Sequence, residues 1–159
     1  YAIPFVAPRG GTLSKIGGYL DSAAETTPVV IRLGIYSAAS AINLLPATLV
    51  LDAGEINNGA GIGLQTLTIS KVLTAGTLYW LAAMSNYDNT FDIALSTPDI
   101  SGLDVTTTWP VFGFNTGNPP ETGHWYLAEH GLYSPLPASF PLGSIQTGNM
   151  PLIVVKFSA

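Results

Sequence analysis

Cysteine is absent from this chain, so no disulfide can staple the fold and no thiolate can bind a metal or carry redox chemistry. Charge is almost as scarce. Charged residues are 9% of the 159, against roughly a quarter in ordinary soluble domains. Only Arg9, Lys15, Arg32, Lys71 and Lys156 carry fixed positive charge, scattered along a sequence of net charge −5. Such a surface repels a phosphate backbone, which argues against nucleic acid as a partner. No basic amphipathic segment is present to lie on an anionic membrane, and no apolar run reaches transmembrane length, so membrane insertion is not expected. The N-x-S/T acceptor is missing as well, so nothing points to eukaryotic secretion. The chain opens at Tyr1 with neither Met nor a signal peptide, and it is expected to be a processed or excised piece of a longer protein.

Helical periodicity is also lacking. No segment repeats apolar residues at spacings of 3, 4 and 7 over three turns without meeting Gly, Pro or a β-branched run. What the chain has is apolar residues (47%), with 17 Gly and 12 Pro as punctuation. That is enough to bury a core, and the length suits one domain spanning 1–159. Low charge with high apolar content suits an oligomer or a packed particle component. The alternative is a monomer whose Ser and Thr keep it in solution.

The period of two recurs. VVIRLGIY sets Val29, Ile31, Leu33 and Ile35 on one face against Val30, Arg32, Gly34 and Tyr36. ATLVLDAG reads as a short strand ending at Gly54, and LQTLTIS turns Leu67 and Ile69 inward. FDIAL alternates Phe91, Ile93 and Leu95 with polar or small residues, and LIVVKF sets Ile153, Val155 and Phe157 against Val154 and Lys156. Turn signals separate them at PRGG, NNGAGIG, TAG and NTGNPPETG. NNGAGIG lacks the third glycine and the following helix of a phosphate cradle, so it reads as a hairpin loop. In GTLYWLAAMS, Leu78, Trp80, Ala82 and Met84 share one face while Tyr79, Leu81 and Ala83 share the other. Both faces are apolar, so this strand needs cover on both sides: an opposing sheet on one, and a long loop or a neighbouring subunit on the other. VLTAG followed by Tyr79 has the form of a Greek-key corner, in which a tyrosine hydroxyl bonds back to upstream backbone. The predicted fold is therefore all-β: an antiparallel β-sandwich, jelly-roll-like, with long loops in the C-terminal third.

Chemistry-bearing residues concentrate in ETGHWYLAEHG, residues 121–131, which holds both histidines. Zinc is a poor fit for His124, Glu129 and His130, because H-x5-H matches no helical or finger spacing and no cysteine can assist. Calcium could draw on Asn86, Asp88, Asn89 and Asp92, but the EF-hand frame is missing and loop Asp and Asn ordinarily form Asx-turns. Glycoside hydrolysis would need a carboxyl pair such as Asp88 with Asp92 or Glu121 with Glu129, and nothing marks either pair as tuned. No G-x-S-x-G elbow is present for a Ser-His-Asp triad. The expectation is a non-enzymatic domain with no cofactor and no metal. The remaining reading is binding. Trp125 or Tyr126 can stack on the apolar face of a sugar ring while Asn118, Glu121, His124, Glu129 and His130 bond its hydroxyls. The bland alternative is that these aromatics plug an end of the sandwich.

The runs IGGYL, VVIRLGIYSA, LPATLVLDAGEI, LTISKVLTAGTLYWLAA and the closing PLIVVKF resemble a β-sandwich domain that recurs in virion proteins of tailed bacteriophages and related particles. Tail fibres and head spikes are the main examples. The resemblance covers roughly residues 1–95 and the last strand, and L-x-x-G-x-x-Y-W-L-A is its most specific element. It implies an exposed appendage domain at the virion surface, part of a longer virion protein. That domain would be homo-oligomeric, with a trimer preferred, and would attach to a host polysaccharide or receptor beside other virion proteins. It carries no catalytic motif to this chain.

Overall fold

The computed structural model describes residues 2–20, 29–57, 59, 61–86, 123–126, 133–141, 145–148 and 153–158. Among them are nine strands and no helix: β1 Ala2–Val6, β2 Gly11–Leu20, β3 Val30–Ala38, β4 Pro46–Asn57, β5 Gly63–Leu73, β6 Leu78–Ser85, β7 Gly123–Tyr126, β8 Ile145–Gly148 and β9 Ile153–Phe157. They form two antiparallel sheets, one of six strands in the order β4-β3-β6-β1-β7-β8 and one of three in the order β5-β2-β9. The predicted all-β sandwich is what forms. The chain changes sheets between β1 and β2, β2 and β3, β4 and β5, β5 and β6, and β8 and β9, while β3 and β4 pair directly.

The core lies between the two sheets. Leu13, Ile16 and Leu20 of β2, Leu73 of β5 and Ile153 of β9 meet Ile31, Leu33 and Ile35 of β3, Ile56 of β4, and Tyr79, Leu81 and Ala83 of β6. Full burial of each such aliphatic side chain contributes about 1.5–3 kcal/mol, which favours the two-layer arrangement over an open sheet. The alternation read in VVIRLGIY holds, since Ile31, Leu33 and Ile35 are buried in this core. LIVVKF does return to a sheet: β9 pairs with β2, with Ile153 buried and Val155 and Phe157 packed on the core. The corner also forms, because the Tyr79 hydroxyl accepts a hydrogen bond from the Thr74 amide at 3.2 Å.

Strand β6 is apolar on both faces because both are covered. Its second face, Trp80 and Ala82 with Met84, belongs to a smaller cluster with Ala2, Tyr36, Leu49, Leu136 and Phe140. The cover is a strap, residues 133–141, lying on the outer face of the six-stranded sheet. The Tyr36 hydroxyl donates to the Pro137 carbonyl at 2.8 Å. The Phe140 ring meets Tyr36 edge-on, with centroids 5.1 Å apart. Backbone bonds from Leu49 N to Ala138 O and from Phe140 N to Ala47 O hold the strap against β4.

Three readings of the sequence change. Gly54 does not end its strand: at φ 100° it sits inside β4, which runs to Asn57. Leu33 pairs with Gly54 and Gly34 with Asp52, so Ala53 is an extra residue in a bulge. NNGAGIG is not a hairpin loop, because β4 and β5 lie in different sheets. The Gln65 side chain braces this crossover, donating to Gly61 O at 2.8 Å and accepting from Asn57 N at 3.2 Å. Third, of the cations scattered in sequence, Lys15 and Lys156 come side by side across β2 and β9. Arg9 bonds the end of β9, while Lys15, Lys71 and Lys156 lie on β2, β5 and β9 of the smaller sheet. FDIAL falls outside the described residues.

Candidate functional site

Of the seven residues expected to touch a ligand, His124, Trp125 and Tyr126 lie in β7. Asn118, Glu121, Glu129 and His130 lie outside the described residues. The middle of ETGHWYLAEHG is thus a strand. It joins the larger sheet through one register pair with β1, Ala2 with Tyr126. On its other side His124 pairs with Thr147, Trp125 with Gln146 and Tyr126 with Ile145 of β8. β7 and β8 are the last two strands at one end of the six-stranded order, and the strap belongs to the connection between them.

The residues weighed for other chemistry go elsewhere. Asn86 closes the end of β6 onto β3: its Oδ1 accepts from Val30 N at 2.8 Å, and its own amide donates to Val30 O at 3.1 Å. Asp88, Asn89 and Asp92 lie outside the described residues. Among the described residues no three metal-ligating side chains come together.

One polar constellation was not foreseen. On the outer face of the larger sheet, Arg32 Nε donates to both carboxylate oxygens of Asp52 at 2.9 Å, and Nη1 donates to Glu55 Oε1 at 2.8 Å. The Ala53 bulge explains how Asp52 and Glu55, three apart in one strand, face the same way. Each pairs with an outer-facing position of β3, Gly34 and Arg32 respectively. Asp52 Oδ1 also accepts from the Gly54 amide at 3.3 Å, fixing the bulge. Burial works against the Arg32 charge, but Asp52 and then Glu55 outweigh it and hold its pKa above the ordinary value.

Tyr133, at the start of the strap, brings a buried hydroxyl beside Glu55 and Arg32 without closing a well-formed hydrogen bond. Burial first, then Glu55, pushes that hydroxyl above its ordinary range. Tyr36 is pushed up to about 12, by burial and then by the Asp52 charge. Both tyrosines are neutral at ordinary pH. Paired ions and neutral phenols at the root of the strap form an anchoring device between the strap and the larger sheet. The alternation of VVIRLGIY placed Arg32 on the outer face. Its acidic partners depend on a bulge that carries no local sequence signal beyond D-x-G. Comparison of the chain with protein-family models, with curated proteins and with solved structures finds no match.

Proposed function

We propose that the chain is a display domain of a virion appendage, a tail fibre or head spike, that attaches to a host-surface glycan or receptor through the β7 region. The observation that supports this most is the placement of Gly123–Tyr126. The stretch richest in aromatic and titratable residues is built as a strand into the larger sheet of a stiff sandwich. The resemblance of the first 95 or so residues to phage appendage sandwiches points the same way. On this reading the strap makes the sandwich self-sufficient on its outer face, and β7 is left for recognition. The test is adsorption. The native assembly, added in excess, should block attachment of the parent particle to host cells, and His124→Ala with Trp125→Ala should remove the block. Blocking that survives both substitutions would confine the stretch to plugging the sandwich.

A structural role, as a connector or decoration domain of the particle, has one observation in its favour. The β3–β4 turn presents Ile42 at 96% and Leu44 at 54% exposure. Ser40 Oγ accepts from the amides of Ile42 and Asn43 and keeps that turn ordered. Fixed apolar knobs of this kind suit a contact with another chain. Ile42→Ser should then impair particle assembly while leaving adsorption per assembled particle intact; on the recognition reading it changes neither.

A further inference from the structure

Three of the five fixed cations, Lys15, Lys156 and Arg9, lie toward one end of the three-stranded sheet. Lys15 on β2 stands directly opposite Lys156 on β9, and Thr68 of β5 flanks Lys15 on the other side. Lys71 pairs with the buried Leu13 and so belongs to the core-facing side of β5, away from this pair. Arg9 donates to the Ser158 carbonyl at 2.9 Å and lies over the Phe157 ring at the end of β9. Arg9, Lys15 and Lys156 are exposed and Lys71 is half-buried at the strand edge. The fifth cation, Arg32, is neutralised by Asp52 and Glu55 on the other sheet. Among the described residues Arg9, Lys15 and Lys156 have no acidic partner.

The local chain path creates this arrangement. In plain alternation Lys15, two residues after the buried Leu13, would face the core. The register shift between Leu13 and Lys15 lets Leu13 and Ile16 both bury and turns Lys15 outward beside Lys156. Like charges directly opposite on neighbouring strands destabilise a sheet. A chain with five cations and net charge −5 nonetheless sets two of them side by side. An anion bridging the pair would remove the repulsion. Next to the lysines, β5 exposes a row of hydroxyls, Thr66, Thr68 and Ser70, suited to bonding sugar hydroxyls.

We propose that this end of the smaller sheet binds an anionic polysaccharide, a polymer of carboxylated sugars. Its lysines pair with carboxylates and its threonine row bonds ring hydroxyls. The surface lies on the sheet opposite β7, and the proposal stands whether or not β7 binds a ligand. Nucleic acid is the poorer occupant. Duplex DNA carries a charge about every 1.7 Å and would bring that density against an otherwise acidic protein, whereas a uronate polymer carries at most one charge per ring.

The experiment is a titration of the native protein with polygalacturonate at 50 and 200 mM NaCl, with dextran as the neutral polymer and a single-stranded oligonucleotide as the competing polyanion. Three cations on a flexible polyanion predict that affinity falls roughly 18-fold between the two salt concentrations, and only roughly 2.6-fold after Lys15→Gln with Lys156→Gln, from a slope near −0.7 per contact. Dextran should not bind, and the lysine variant should melt no lower than the parent. The proposal falls if polygalacturonate does not bind at 50 mM salt. It also falls if the lysine variant keeps the parent's salt dependence, or if the oligonucleotide binds more tightly than the uronate polymer.

Discussion

Gly34 and Leu136 report on whether the strap is part of the fold. Gly34 lies in the middle of β3, and a Cβ placed there would overlap Leu136 Cδ1 and approach the Leu51 carbonyl oxygen to 2.7 Å. The first obstacle is a side chain and can be removed; the second is backbone and cannot turn aside. Gly34→Ala alone should cost about 1–3 kcal/mol through overpacking, partly offset by a gain of about 0.5 kcal/mol from a stiffer unfolded chain. Leu136 is 8% exposed, so Leu136→Ala should cost about 2–3 kcal/mol, the low end for a buried leucine. In the double variant the Leu136 overlap disappears, leaving only the Leu51 approach. The two effects should then sum to about 1–2 kcal/mol less than the separate costs. Urea unfolding of the parent, both single variants and the double variant, at one fixed protein concentration, measures the coupling. Thermal unfolding should move by about 2–4 °C per kcal/mol for a chain of this size. Additivity within about 0.5 kcal/mol would refute the seating of Leu136 on Gly34, and with it the account of how β6 is covered on its second face.

Two further predictions concern the polar root of the strap. Asp52→Ala removes both bonds from Arg32 Nε and the bond from the Gly54 amide. It should cost about 1–3 kcal/mol, the range for bonds to charged groups, whereas Lys15→Gln on the exposed face should cost nothing in a parallel denaturant series. The tyrosines give a pH dependence of definite sign. Tyr36 is raised to about 12 and Tyr133 is raised as well, so the folded state favours the neutral phenol. Their contribution is complete below the unfolded value near 10 and is lost as pH rises from about 10 toward 12 and beyond. Unfolding free energy measured from pH 8 to 12 should be level to about 10 and then fall. Tyr36→Phe should lower it by about 1 kcal/mol at pH 8 and flatten the alkaline decline; a decline as steep as the parent's would count against Tyr36 as its source.

Local pattern carried much of this fold. The alternation in β3, β6 and β9 follows from each side chain's own neighbours, and so did the two-sided demand of GTLYWLAAMS and the Tyr79 corner. Long-range pairing did not show in the same way. Nothing near Ala53 announces that an extra residue turns Asp52 and Glu55 to one side, and nothing near Ser14 announces that Lys15 will stand beside Lys156. The two residues of that pair are 141 positions apart and meet only because β9 returns to β2. The strap escaped notice for a related reason. PLPASFP has no strand period, and its role appears only once Tyr36, Gly34 and Leu136 are adjacent. At the candidate site, the concentration of residue types in ETGHWYLAEHG marked a segment that contains a strand. The partners of that strand, β1 and β8, are again set by pairing across the chain.

Competition for host attachment tests the central claim most directly. The native protein, titrated into an adsorption assay of its parent particle, should reduce attachment in proportion to its occupancy of the host surface. The His124→Ala, Trp125→Ala variant, folded to the same melting temperature, should leave attachment at the untreated level. Attachment that is indifferent to the native protein at saturating concentration would contradict recognition through β7.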